Sequence, residues 1–178
     1  NIILKILKKN NAHGVLNLVT DCDKKILGRK IASDKRISLV SATGSTRMGK
    51  SVAKTVGERL GKSLLELGGN NAMIISQHAN LDIAIRGAVF GAVGTAGQRC
   101  TTTRRLIIHD SIYEKFKDLL VKAYKQIKIG NPLDENNHMG PLIDKEAVKM
   151  YENALKEILK EGGEPVVEGK VLNGIGYE

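Results

Sequence analysis

Hydrophobic positions along the chain change their period repeatedly, and each change marks an element. Residues 3–10 have helical spacing, whereas 14–20 (Gly14-Val15-Leu16-Asn17-Leu18-Val19-Thr20) read as a short strand. A short helix over 28–34 and a buried strand over 37–43 follow. From Ser45 onward Met48, Val52, Val56 and Leu60 fall on one helical stripe, and Gly61 supplies the stop. Strands are predicted over 63–69 and 71–76, and Asn80 is an N-cap candidate for a helix carrying Ile83, Val89 and Phe90 toward Gly94. Residues 105–110 alternate into another strand. Ser111 and Glu114 then form a capping box for a helix whose stripe is Ile112, Phe116, Leu119, Leu120, Ala123 and Ile127. Turn residues fill 130–141, before a last helix with Val148, Tyr151, Leu155 and Ile158 inward. Strand–helix alternation of this kind predicts an α/β fold built on parallel sheet.

Composition narrows the partners. A chain of 178 residues that is 42% hydrophobic can bury one core or two small ones. The net charge of +9 raises nucleic acid as a partner. However, Lys115, Lys117, Lys122 and Lys125 lie on the solvent side of a helix, and the absence of tryptophan leaves little for base stacking. A solvated basic surface, with no nucleic-acid and no membrane partner, is the expectation. Cys22 and Cys100 make neither a disulfide framework nor a metal-ligand cluster, so no metal is expected. A reduced compartment, cytoplasm or mitochondrial matrix, suits two such thiols better than secretion. The chain opens inside a helical pattern at Asn1, without an initiating methionine or a signal segment, and reads as an internal segment of a longer protein.

Three stretches carry chemistry. In Thr43-Gly44-Ser45-Thr46-Arg47-Met48-Gly49 a glycine turn joins a buried strand to a helix, presenting backbone N–H groups and the positive helix end to an anion such as a nucleotide phosphate. Glu66 follows two leucines at a strand end and precedes two glycines, where partial burial would raise its pKa toward the range of a general base. Cys100, in Gly94-Thr-Ala-Gly-Gln-Arg-Cys-Thr-Thr-Thr-Arg-Arg105, has polar, flexible and cationic neighbours that favour a thiolate over a buried structural thiol.

Together these stretches resemble the aldehyde dehydrogenase superfamily over essentially the whole chain. Residues 43–50 are similar to its coenzyme-binding turn, 65–71 to its glutamate signature and 97–100 to its cysteine signature. The order matches, and Glu66 precedes Cys100 by 34 positions (100 − 66), as in the family. The wording is most similar to the antiquitin branch, the α-aminoadipic semialdehyde dehydrogenases.

The resemblance implies a Rossmann-like parallel-sheet coenzyme domain of which residues 1–67 are the C-terminal part, followed by the N-terminal part of an α/β catalytic domain at 68–178. It implies NAD as coenzyme, with NADP open, and an assembly of identical subunits. Cys100 would be the nucleophile, forming a hemithioacetal and then a thioester, and Glu66 would activate the hydrolytic water. Gly44 and Ser45 would lie at the pyrophosphate, Leu67 near the nicotinamide, and Gly28 and Arg29 on a loop beside the adenine half. Thr101 would line the substrate pocket, and Arg99 would read the carboxylate of an acidic semialdehyde. The Arg29-Lys30 pair departs from the smaller residues of the family. The family's oxyanion asparagine lies outside the segment, so the segment alone is expected to be inactive. Two other readings are weighed: a cysteine hydrolase or acyltransferase using His109 or His78, and an inert binding module.

Overall fold

The computed structural model describes residues 2–21 and 26–172; Cys22 lies outside them. The chain divides into two compact units, residues 1–67 and 68–178.

The first unit comprises α1 (Ile2–Lys9), α2 (Ile26–Ser33), β1 (Leu39–Gly44), α3 (Thr46–Glu58) and β2 (Lys62–Leu67). Strands β1 and β2 pair in parallel, from Leu39 opposite Lys62 to Gly44 opposite Leu67, with α3 as the crossover. A parallel pair requires such a crossover, because its second strand must start again at the same end. Val40 on β1, Val56 on α3 and Ala32 on α2 form the core, with Ile37 and Val52 packed against it. The Arg59 Nε–H bonds the Ala32 carbonyl at 2.8 Å and ties α2 to the end of α3.

Helix α3 starts where expected: Ser45 is the N-cap, its hydroxyl oxygen accepting from the Met48 N–H at 3.1 Å. Its end differs from the prediction. Leu60 was placed on the apolar stripe but lies beyond the helix, 94% exposed, with a left-handed backbone (φ 57°). The Leu60 N–H bonds the Gly57 carbonyl and the Gly61 N–H the Val56 carbonyl, a Schellman closure that puts position 60 in the left-handed well. The strand expected over 14–20 is also absent. No strand pairs with it among the described residues, and Val15, Leu18 and Val19 are exposed. An apolar run without a ladder partner leaves its backbone to water.

The second unit comprises β3 (Asn71–Ile75), α4 (Leu81–Val93), a 3₁₀ turn (Gly94–Gly97), β4 (Thr103–Ile108), a 3₁₀ turn (Asp110–Ile112), α5 (Tyr113–Tyr124) and α6 (Lys145–Lys160). Here too the strands pair in parallel, with a register shift directly after Asn71. Phe116 is fully buried against Ile75 and Ala88, a burial worth roughly 1.5–3 kcal/mol in apolar transfer. Asn80 caps α4 as predicted, accepting from the Asp82 and Ile83 N–H groups. The buried stripe of α4 is Leu81, Ile85 and Ala88, while Ile83 and Phe90 are exposed. The capping box at Ser111 does not form. Instead His109 Nδ1 accepts the Ser111 N–H, which starts a 3₁₀ turn, and α5 begins at Tyr113 with no side-chain cap. In α6 the predicted stripe stays largely uncovered, with Ile158 half exposed.

Candidate functional site

In the first unit the parallel register gathers the expected residues at one strand end. Gly44 stands opposite Leu67 and Thr43 opposite Glu66, at the C-terminal ends of β1 and β2, and Ser45 caps the helix that starts there. Ligands of α/β sheets bind outside such strand ends, and phosphates favour a helix N-terminus. No acidic residue occupies the first turn of α3, and Gly44, Ser45 and Thr46 are exposed. An anion fits this turn. Gly49, one turn into α3, is buried and lies against Leu67, so helix and strand meet at backbone distance.

Glu66 is exposed, not partly buried as its apolar neighbours suggested. Side chains alternate along a strand. Leu67 faces α3, where its δ-carbons approach Gly49, and Glu66 therefore takes the opposite face. Gly28 and Arg29, expected on a loop, lie in the first turn of α2. Arg29 and Lys30 line a groove against Ser51 and Thr55 of α3, past the helix's first turn.

In the second unit the nucleophile candidate sits on a tight turn. The Thr102 N–H donates to the Arg99 carbonyl at 3.2 Å, which leaves Cys100 and Thr101 as its two central, exposed residues. Thr102 is buried, 4% exposed, and its Oγ1 accepts the Arg99 N–H at 3.1 Å. The approach is unusual: Thr95 (φ 56°), Ala96 (φ 52°) and Gly97 (φ 71°) are consecutive left-handed residues. Threonine is a poor occupant of that region, and such strain concentrates at functional sites. Neither the Cys100 nor the Thr101 N–H has a hydrogen-bond partner among the described residues.

Arg99, expected to reach the substrate, is turned back onto α4. Its Nη2 donates to the Phe90 carbonyl at 2.9 Å, and its guanidinium lies 5.0 Å over the Phe90 ring. Its Nε is buried, leaving Nη1 and the second Nη2 N–H as the spare donors. Arg104 Nε and Arg105 Nη2 donate to the Gly69 and Asn70 carbonyls, bracing the segment before β3.

Two further residues hold the turn, and neither was singled out from the sequence. Asn71 Nδ2 donates to the Cys100 carbonyl at 2.6 Å and to the Thr102 carbonyl at 3.1 Å. Gln98 Oε1 accepts the Ile143 N–H at 2.9 Å, tying the cysteine loop to the segment before α6. A polar residue opening an otherwise apolar strand was the available signal at position 71.

The histidine alternative fails on geometry. His109 directly follows β4, six residues beyond Thr103, and a strand rises about 3.3 Å per residue. That places it roughly 20 Å along the strand from the cysteine turn. His78 follows Ile75, which pairs with Ile108 at that same far end. Among the described residues no cluster of three or more His, Cys, Asp or Glu side chains could hold a metal ion, and no helix is long and apolar enough to cross a membrane.

Comparison with known proteins gives a consistent result. The sequence profile of the aldehyde dehydrogenase family matches residues 2–177. The chain is 51% identical over 172 residues to α-aminoadipic semialdehyde dehydrogenase of Rattus norvegicus, covering 97% of this chain and 32% of that protein. It is 46% identical over 175 residues to aldehyde dehydrogenase family 7 member B4 of Arabidopsis thaliana, covering 98% and 34%. The chain thus spans about a third of the length of the curated relatives it matches. Among solved structures, an NADP-dependent enzyme of E. coli matches with TM-score 0.85 and 33% identity over 96% of this chain and 36% of that one. Betaine aldehyde dehydrogenase of Staphylococcus aureus in complex with NAD+ matches with TM-score 0.76 and 34% identity, over 79% and 28%.

Proposed function

The chain belongs to the aldehyde dehydrogenase family, and from that premise we propose that it is the central part of an NAD(P)-dependent enzyme oxidising an aldehyde to a carboxylic acid. Residues 1–67 are then the C-terminal part of the coenzyme domain, and 68–178 open the catalytic domain. The observation that carries the reading is the turn Arg99–Thr102, with an exposed cysteine beside two backbone N–H groups that have no partner among the described residues.

The Cys100 thiolate adds to the aldehyde carbon, forming a carbon–sulfur bond and leaving negative charge on the oxygen. The Cys100 N–H donates a hydrogen bond to that oxygen, together with an amide from outside the segment. The exposed helix end at Gly44 and Ser45 would hold the coenzyme pyrophosphate. Leu67 would lie at the nicotinamide end of a bound coenzyme, and Gly28 and Arg29 would line its adenine side. When bound, the coenzyme supplies the hydride acceptor that turns the sulfur adduct into a thioester. Glu66, at an exposed strand end with access to water, takes a proton from the water that attacks the thioester. The Cys100 thiolate leaves, and the acid is released.

Thr101, adjacent on the turn, lines the substrate pocket. Identity of about half to α-aminoadipic semialdehyde dehydrogenases supports a carboxylate-bearing semialdehyde as substrate. With Arg99 Nε buried and one Nη2 N–H given to the Phe90 carbonyl, Nη1 and the second Nη2 N–H are left for its carboxylate. Exposed apolar side chains such as Ile83, Leu133 and Ile143 offer surface for the rest of the chain and for a second subunit.

NADH absorbance tests the reading in the complete enzyme. Cys100→Ala is expected to abolish aldehyde-dependent NADH formation. Glu66→Gln should give one burst of NADH and then a stalled steady state, because acylation outlives hydrolysis. Full steady-state turnover by Cys100→Ala protein would end the proposal.

A further inference from the structure

The cysteine turn is held through its carbonyl oxygens. The Thr102 N–H bonds the Arg99 carbonyl, and Asn71 Nδ2 bonds the Cys100 carbonyl at 2.6 Å and the Thr102 carbonyl at 3.1 Å. In a trans peptide the N–H points opposite to the C=O. Anchoring the Arg99 carbonyl therefore aims the Cys100 N–H, and anchoring the Cys100 carbonyl aims the Thr101 N–H away from Asn71. Both of these N–H groups lack a partner among the described residues. Asn71 reaches the turn from 29 positions earlier in the chain. It opens β3, whose Ile75 is 2% exposed in the core, so the anchor stands on a packed strand.

The geometry points to Asn71 as a positioning residue for the nucleophile: it fixes the Cys100–Thr101 peptide plane, so that the Thr101 N–H stands beside the Cys100 N–H already aimed by the Arg99 carbonyl and both meet the oxyanion formed when the Cys100 thiolate adds to a carbonyl. The inference rests on the reading of Cys100 as the nucleophile. Asn71 touches neither substrate nor sulfur. It acts by removing the reorientation that a free turn would need as charge develops.

Two reactions of the same thiol separate this aim from simple folding. With p-nitrophenyl acetate the sulfur attacks the carbonyl carbon, an oxyanion forms and p-nitrophenolate leaves. With iodoacetamide the sulfur displaces iodide from a saturated carbon, and no oxyanion forms. In the intact protein Asn71→Ala is expected to slow acylation about tenfold or more, while alkylation of Cys100 changes by less than about threefold. Asn71→Ser, which keeps a single hydroxyl donor, should fall between, and it decides the matter if the alanine variant loses its far-ultraviolet circular dichroism. Equal changes in both rates, or none in either, would overturn the role of Asn71 and leave the nucleophile standing. Wild-type acylation no faster than that of the unfolded chain would remove the nucleophile reading, and this inference with it.

Discussion

Leu67 lies across the bare backbone of Gly49: a Cβ at position 49 would stand 2.6 Å from both δ-carbons of the leucine and 3.2 Å from its Cγ. The contact joins the helix that begins at Ser45 to the strand end that carries Glu66, so the two halves of the proposed coenzyme site share one close approach. Gly49→Ala gains about 1 kcal/mol of helix propensity. Crowding the Cγ moves the whole side chain and not only a methyl, and overpacking costs about 1–3 kcal/mol. A net loss is expected, read as a lower Tm together with weaker NAD binding. A Tm at or above wild type would show that the helix and strand separate without strain.

Leu60 occupies the left-handed position of a Schellman closure, where α6 uses Gly162 (φ 87°) and the chain after α1 uses Asn11 (φ 52°). A left-handed backbone costs an ordinary residue about 1–2 kcal/mol, and a 94% exposed side chain offers little packing in return. Leu60→Gly should therefore stabilise the protein, by about 0.5–1 kcal/mol once the greater freedom of glycine in the unfolded chain is subtracted. Urea melts at constant m-value would measure the gain, and an unchanged or lower midpoint would mean that Leu60 packs in the intact protein.

Arg99 is braced on α4, and Gly94 makes room for it, since a Cβ there would fall against Nη2. Arg99→Ala is expected to lower kcat/KM for acidic and neutral aldehydes alike, about tenfold for loss of a charge-assisted hydrogen bond that orders the loop. A loss confined to the acidic aldehyde would assign the spare Nη1 and Nη2 donors to the substrate carboxylate.

Asp34 is held at a pKa of about 2, below its ordinary value of 3.8, by hydrogen bonds first from the Arg36 guanidinium and then from the Arg36 N–H. A carboxylate whose pKa is lower folded than unfolded adds stability above its unfolded value and loses it as pH falls through the folded one. Asp34→Asn should thus lower Tm slightly at pH 7, and the difference should shrink below pH 3.8 and vanish only below the folded pKa of about 2. A Tm gap that persists there would assign the effect to shape and not to charge.

The order of strands and helices was legible because apolar spacing records which face of each element is covered, and the covered faces of β1, α3, β3 and α5 are real. The grouping of Gly44, Ser45, Glu66 and Leu67 followed as soon as the strands ran parallel. What escaped depended on partners distant in sequence. The run 14–20 is apolar but pairs with nothing among the described residues. Glu66 had apolar neighbours, but Leu65 and Leu67 sit on the other side of the strand and Leu64, on its own side, is itself exposed. Arg99 gave a charge but not the ring and carbonyl of Phe90 that hold it. Asn71 meets the cysteine turn only because the β3–β4 register shifts directly after it, from Asn71 opposite Thr103 to Ala72 opposite Arg105.

The parallel pairing of β1 with β2 also bears on how the chain acquires its shape during synthesis. Leu39 and Lys62 are 23 positions apart (62 − 39), and the intervening residues form the helix that covers the pair. This strand–helix–strand unit is complete once β2 has left the ribosome, before either Asn71 or Cys100 has emerged, and so short a closure folds early. Asn71 in turn precedes Cys100 by 29 positions. The anchor therefore leaves the ribosome before the turn that it holds, and the thiol emerges after the residue that fixes its loop.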